Sequence, residues 1–364
     1  MCGKALAPIG AAEIVTAASP QLRTITVREA ADLDAVDAYA TDRPAATAYH
    51  RPGWLRIITR AFRHRTTCLI AESGGQIAGV LPLAFLSSRL FGRYAVSLPF
   101  VNYGGVVADT PEAQRALIEA AVEATARTGA SYLELRHTSR TSPALQARSH
   151  KVAMTMPLEA TSEQQWQRLD KKVRNQVRKA EKSGLQVQVG HVELLRPFYE
   201  VFARNMRDLG TPVYSRRFFD EVLTTFPEAS RVFVVTSDAR PVAASIVHWH
   251  RDRIEVPWAS AIRDFNPLCA NVFLYWQMLR FACDRRFQTF DFGRSTPGGG
   301  TYRFKEQWGA APTELVWEYW TAAGVPLPDR SPDNPRVALA VKAWQHLPVP
   351  VANALGPSIV RNIA

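Results

Sequence analysis

With 364 residues, the chain is long for one globular domain and comfortable for two. A hydrophobic fraction of 47% suits a buried core, and no run approaches the roughly 18 apolar residues of a membrane span, which sets aside a membrane-spanning protein. The formal charge of +11 points to an anionic partner such as a nucleotide, coenzyme A, tRNA, phospholipid or acidic glycan, or reflects solubility alone.

Four cysteines, Cys2, Cys68, Cys269 and Cys283, form no CxxC and have no histidine pair nearby. They read as reduced thiols of a cytoplasmic protein, not as a disulfide frame or zinc site, although Cys269 and Cys283 could lie near one another. Residues 1–23 are rich in Ala, Pro and Gly, and Glu13 interrupts their only apolar stretch. That composition suggests a disordered lead-in, not a signal peptide.

The first paired strands are Thr67 to Ala71 and Gln76 to Phe85, around Ser73-Gly74-Gly75. Next, Pro99 and Gly104-Gly105 break a strand over 97–105, leaving Asn102 and Tyr103 to bind a sugar or peptide, or to serve a structural bend. A helix from Ala113 to Thr128 precedes a strand from Tyr132 to Arg136. Thr161 or Ser162 then caps a single helix that runs to Gly184, with Trp166, Leu169, Val173 and Val177 on one apolar face. Six cations, including Lys172, Arg174 and Arg178, cover much of the rest. Arg174 and Arg178 stand one turn apart and suit a diphosphate; the alternative is a solvated helix face.

A helix from Arg196 to Asp208 leads to the Gly210-Thr211-Pro212 turn, after which Tyr214, Ser215, Arg216 and Arg217 begin another helix. Its first N–H groups favour an anion, or Ser215 simply caps it. Arg231 to Thr236 and Val242 to Trp249 repeat the earlier strand pair, and Trp258 follows as a further substrate-binding candidate. The loop from Arg263 to Asn271 lacks a glycine-rich phosphate cradle, so Asn271 either contacts a cofactor or caps the next helix, Asn271 to Arg286. His248 and His250 share a strand face without a third ligand, and no metal is expected.

The strand Thr289 to Phe292 runs into Gly293, Arg294, Ser295 and the turn residues Gly298, Gly299 and Gly300. Glycines let a backbone approach a ligand closely. Arg294 and Lys305 then hold anionic oxygens or developing charge, with Ser295 and Gly299 beside a cofactor, or the segment is a tight turn with two solvated cations. Asp291 reads as an acceptor orienter or base, or as the partner of Arg294 in a salt bridge. After Pro326 the chain is rich in Pro and Asp, with a short helix from Val337 to His346 and an irregular tail from Pro348 apart from a helical turn near Ile359.

The stretch Asp291-Phe292-Gly293-Arg294-Ser295, followed by a glycine-rich turn and Phe304-Lys305-Glu306-Gln307-Trp308-Gly309, resembles the end of the FemAB-type acyltransferase fold. The blocks over 86–92, 97–105, 171–180 and 209–217 resemble that family in its order, in particular FemAB-related proteins associated with the PEP-CTERM exosortase system. The resemblance runs from about Ile25 to about Tyr319. It implies an α/β (α+β) chain of two tandem GNAT-like acyl-N-acyltransferase domains, 24–160 and 185–322, joined by a basic linking helix at 161–184 and followed by an extension at 323–364. It also implies an acyltransferase passing an acyl or aminoacyl group to an amine of a polysaccharide or envelope precursor, with transfer of groups other than aminoacyl as the class.

On that resemblance Lys305 stabilises the oxyanion or leaving oxygen, assisted by Asp291, Phe304 and Tyr302. The acceptor cleft takes Tyr214 and Arg216. The donor is acyl-CoA or aminoacyl-tRNA, with no resident cofactor. The acceptor is an anionic nucleotide- or lipid-linked molecule; tRNA binding and peripheral membrane association are compatible, and DNA is not expected. The alternatives are an aminoacyl-tRNA-dependent peptidyltransferase of the peptidoglycan type and a non-catalytic protein that binds an anionic glycan or lipid carrier.

Overall fold

A computed structural model describes residues 24–88, 91–327 and 335–363; the expected lead-in lies outside them. The first half comprises β1 (Ile25–Glu29), α1 (Leu33–Asp42), α2 (Gly53–Phe62), β2 (Arg65–Ser73), β3 (Gln76–Ser88), β4 (Gly92–Val96), β5 (Val107–Ala108), α3 (Pro111–Arg127), β6 (Tyr132–His137) and β7 (Gln146–Pro157). α4 (Ser162–Arg168) and α5 (Lys171–Lys182) follow. The second half repeats the plan: β8 (Gln186–Gly190), α6 (Leu195–Asp208), α7 (Arg216–Thr225), β9 (Ser230–Ser237), β10 (Arg240–His250), β11 (Arg253–Ala261), α8 (Ala270–Asp284), β12 (Thr289–Ser295), α9 (Gly300–Glu306) and β13 (Ala311–Thr321). α10 (Pro335–Gln345) and α11 (Val349–Val360) close the chain.

The two hairpins expected from sequence form by the same device. Ser73 pairs with Gln76 around Gly74 and Gly75, and Ser237 pairs with Arg240 around Asp238 and Ala239. All four turn residues have positive φ, which matches the twist of the flanking strands. Helix starts follow their capping side chains: Thr110 before Pro111 in α3, Thr161 in α4, and Ser215 in α7.

All strands but β5 lie along one path of a 13-stranded sheet in the order β1-β2-β3-β4-β6-β13-β7-β12-β11-β10-β9-β8. The halves therefore exchange strands. β13 pairs antiparallel with β6 of the first half, and β7 pairs antiparallel with β12 of the second. Within each half one pair is parallel, β4 with β6 and β11 with β12. Core side chains of α1, α2, α6 and α7 form one cluster across both halves, including Val36, Trp54, Phe198 and Phe218. α3 forms its own cluster through Leu117, while α5 and α8 share another through Val173 and Leu274.

Four local expectations are corrected. The helix expected over 161–184 breaks at Leu169, whose extended ψ of 144° precedes a restart capped by Asp170; the apolar stripe Leu169, Val173 and Val177 is nevertheless buried. α8 starts at Ala270 behind Cys269, so Asn271 lies inside the first turn and is not its cap. Cys269 and Cys283 stand at opposite ends of that helix, about 20 Å apart at 1.5 Å per residue, and do not adjoin. The tail from Pro348 forms the helix α11 where irregular chain was expected.

Candidate active site

β11 and β12 stay paired only from Arg253↔Thr289 to Glu255↔Asp291. Beyond that point both strands are irregular. β11 shifts register against β10 between Trp258 and Glu255, at Pro257, and β12 shifts against β7 between Asp291 and Arg294. Gly293 has φ +73°, and a Cβ there would stand 3.2 Å from the Val256 carbonyl and 3.4 Å from Asn102 Nδ2. Two irregularities facing one another part the strands and direct Glu255 and Asp291 to the same place.

Both carboxylates are buried, at 6% and 0% exposure. Asp291 Oδ2 accepts from Tyr103 Oη (2.7 Å) and Arg253 (2.6 Å), and Oδ1 accepts from Gly293 N (2.8 Å). The ion pair is with Arg253, which corrects the expected bridge to Arg294. Glu255 has no cation within ion-pair distance among the described residues; Oε1 accepts from Asn102 Nδ2 at 2.7 Å. Burial and the neighbouring Asp291 charge push the Glu255 carboxyl up to about 8. Asn102 and Tyr103 belong to the first half, so the centre exists only where the halves meet.

Lys305 arrives from α9, a helix where sequence suggested a loop. Its ammonium donates to the Gly293 and Arg294 carbonyls at 3.0 and 2.9 Å, beside the parted strands. Burial lowers its pKa to about 8, against the pull of Asp291 and Glu255. A carboxyl and an ammonium thus change protonation in the same pH range at one locus.

A cleft of about 380 Å³ reaches Glu255 and is lined by Ala46, Thr47, Tyr103, His248, His250 and Arg253, among others. His248 stands opposite Glu255 in the β10–β11 register. Burial drives its pKa down to about 3, so it is neutral, and neither ring nitrogen has a partner. Trp54 Nε1 is also unpartnered, while the buried Tyr49 hydroxyl is directed at Glu255, with the Trp54 ring 5.0 Å from Tyr49 and 5.5 Å from His248. Unpaired buried donors around a cleft leave hydrogen-bonding capacity for a polar ligand.

Of the residues singled out from sequence, Lys305, Asp291, Tyr103 and Asn102 are brought together, and Arg294 lies one residue beyond Gly293. Phe304 and Tyr302 pack beside the α8 core, with Phe304 5.0 Å from the Tyr275 ring. Trp258 is buried edge-on against Phe218 and Phe219. Tyr214 packs on Phe218, and Arg216 is exposed at the α7 start. Ser295 is buried with an unpartnered hydroxyl, and Gly299 occupies the cap position of α9. Lys172, Arg174 and Arg178 lie on α5, which packs on α8; none touches the carboxylates, and Arg178 covers the Trp166 ring at 5.5 Å. Among the described residues no His, Cys, Asp and Glu grouping could hold a metal, and no helix is long and apolar enough to cross a membrane.

Sequence reading missed Glu255, Arg253 and Tyr49, and weighed His248 only as a metal ligand. The available signal was Glu255 itself, a lone acid within the apolar run Ile254 to Ala261.

Residues 167–306 match the family of acetyltransferase (GNAT) domains. No curated protein matches the chain. Among solved structures, FemX superposes with a TM-score of 0.61 at 13% identity, covering 80% of this chain and 96% of that one. A tandem GNAT protein from the clavulanic acid biosynthesis pathway gives 0.52 at 13% identity, over 84% and 100%. The C-terminal domain of a putative lysylphosphatidylglycerol synthetase from Agrobacterium fabrum gives 0.53 at 11% identity, over 79% and 90%. At such identities the likeness concerns the fold, and the fold is that of tandem GNAT-like units.

Proposed function

We propose that the chain is an N-acyltransferase whose reaction centre is the parting of β11 and β12. The observation that carries this reading is the Glu255 carboxyl: buried, free of a countercation, facing a cleft, and close in charge to an ammonium on the other side of the parted strands. An acceptor amine in the cleft gives a proton to ionised Glu255 and attacks the donor carbonyl. The new C–N bond forms as the C–S bond of a thioester or the C–O bond of an aminoacyl ester breaks, and the proton passes to the departing thiolate or ribose oxygen. Lys305 sits where charge develops on the carbonyl oxygen. No covalent enzyme intermediate is needed.

The match to GNAT domains supports acyl-CoA as donor, and α8 has no side-chain cap, leaving its first N–H groups for phosphate. One observation favours the alternative donor, aminoacyl-tRNA: α5 exposes Lys171, Lys172, Arg178, Lys179 and Lys182 along one helix. The FemAB resemblance supports an acceptor from cell-surface polymer synthesis, an amino sugar, a lipid-linked precursor or a peptide stem, met on the cytoplasmic side.

The test is product formation. The full chain is incubated with acetyl-CoA, longer acyl-CoAs or charged tRNA and a panel of amino sugars and stem peptides, and acylated amine is read by mass spectrometry. Glu255→Gln lowers kcat by about 10²- to 10³-fold, within the range for a lost general base. Absence of product with every donor, or a Glu255→Gln enzyme with unchanged kcat, overturns the reading.

A further inference from the structure

We infer that His50 and His137, the latter held by Glu318, are positioning residues for the Glu255 centre: gripping one peptide group, Gly105–Val106, they fix the loop that brings Asn102 and Tyr103 to the carboxylates. The Gly105 carbonyl lies 2.9 Å from His50 Nε2, and the Val106 N–H donates to His137 Nε2 at 2.9 Å. These two backbone groups belong to the same peptide unit. In a trans peptide the C=O and N–H point opposite ways, so the imidazoles hold one plane from its two edges. Both rings are buried, His50 in the turn Ala48–His50 and His137 at the end of β6.

Each ring can play its part in one protonation state only. A backbone N–H can only donate, so the nitrogen it meets must be bare. Thr47 N donates to His50 Nδ1 at 2.9 Å, which leaves the His50 proton on Nε2, aimed at the Gly105 carbonyl. Val106 N occupies His137 Nε2, which leaves the His137 proton on Nδ1, 2.8 Å from Glu318 Oε2. The two histidines are therefore neutral and of opposite tautomer. Burial agrees for His50, whose pKa it drives down to about 4. Glu318 reaches His137 from β13 and also accepts from Thr141 N (3.0 Å), Ser142 N (2.8 Å) and the Thr141 hydroxyl. Burial works against its charge, yet these donors and His137 hold the carboxyl down at about 2. The anion that orients His137 thus persists across the neutral range.

The other end of the loop is fixed by Arg136, whose Nη1 donates to the Val101 carbonyl at 2.6 Å. Between the two anchors Asn102 Nδ2 reaches Glu255 and Tyr103 Oη reaches Asp291, each at 2.7 Å. There is no slack at the clamp: a Cβ on Gly105 would overlap His137 Cδ2 and stand 2.9 Å from the Arg136 carbonyl. Rigid rings on both edges of the peptide hold the Asn102 amide in place before substrate arrives, so its ordering is not charged to the reaction. Glu255 faces Asp291, Arg253, Tyr49 and Asn102. Burial and Asp291 raise its pKa, while the Asn102 amide favours the ionised form and lowers it. Loosening the clamp therefore raises the Glu255 pKa, although neither histidine bonds to Glu255. The use made of Glu255 comes from the acyl-transfer reading, on which this inference rests, but the test reads protonation and not turnover.

The experiment is NMR on the full chain, with the glutamate carboxyls labelled by 13C and the histidine rings by 15N; the Glu255 signal is the one lost in Glu255→Gln. In the unaltered chain at neutral pH, His50 carries its proton on Nε2 and His137 on Nδ1. His137→Asn keeps a donor toward Glu318 but falls short of Val106, and it raises the Glu255 pKa by about half a unit or more, the order of one lost hydrogen bond. His137→Gln carries an acceptor out to the Nε2 position and restores the original titration. Gly105→Ala, which displaces the His137 ring, shifts Glu255 upward as His137→Asn does. Each variant is checked for native circular dichroism, and the tautomers are read without any substitution. A protonated His137, either histidine in the other tautomer, a folded His137→Asn or Gly105→Ala chain with unchanged Glu255 titration, or equal shifts in His137→Asn and His137→Gln overturns the clamp. Where acylated product forms, the acid limb of kcat/KM moves up in His137→Asn by the same amount as the Glu255 titration. Absence of product from the unaltered chain ends the acyl-transfer reading and leaves the clamp to the NMR result.

Discussion

Glu255 and Asp291 face each other on neighbouring parallel strands, yet only Asp291 has a guanidinium partner. The charge of Asp291 raises the Glu255 pKa and also raises that of Lys305, where burial alone would lower it further. Glu255 is a base only above about 8, and Lys305 is a cation only below about 8. The kcat/KM profile is therefore a narrow bell centred near pH 8. Asp291→Asn removes a charge that raises both groups, so both limbs move to lower pH with the same acceptor amine; a shift of one limb alone contradicts this coupling. Lys305→Ala lowers kcat by about 10²- to 10³-fold with little change in acceptor KM, as for loss of an oxyanion donor. Equal kinetics would remove Lys305 from the chemistry.

Irregular segments, more than the regular elements, position the chemistry. Pro257 in β11 and Gly293 in β12 interrupt their strands two residues after the carboxylates, and Glu255, which a regular ladder would pack away, lines a cleft with Asp291 buried beside it. In the first half the equivalent parallel pair is closed: Ser97 N donates to the Glu134 carbonyl, and Ser97 Oγ accepts from Arg136 N. The chemistry therefore belongs to the second half, with the loop 97–106 supplying Asn102 and Tyr103. α4 and α5 illustrate local legibility. Their stripe of Leu169, Val173 and Val177 was readable by period, but the break was not, because the period survives it. Asp170 restarts the helix by accepting from Lys172 N at 2.6 Å. Asp170→Ala costs about 1 kcal/mol and lowers Tm by about 1–2 °C, measured by thermal denaturation; no change would mean that packing against α8 alone holds α5.

At the scale of the molecule, strand exchange binds the two halves together. β13 fills a place beside β6 that the first half leaves open, and β7 lies beside β12. Neither half completes its sheet without the other, and α2 packs directly on α7. Calorimetry is expected to show one cooperative transition with calorimetric and van't Hoff enthalpies in agreement. Two separated transitions would mean that each half folds on its own.

The amino-acid order by itself determined the repeated hairpins, the helix faces and the blocks that suggested an acyltransferase, because turn chemistry and hydrophobic period are local properties. It also picked out Lys305, Asp291, Asn102 and Tyr103 as candidates. Only tertiary structure decided that Asp291 pairs with Arg253, that Glu255 stands opposite it with Asn102 and no cation as partner, and that Arg136 and Arg294 both approach Trp317. Those outcomes depend on which strands become neighbours. Because β7 and β13 change places between the halves, residues more than 150 positions apart, such as Arg136 and Arg294, come to share one indole.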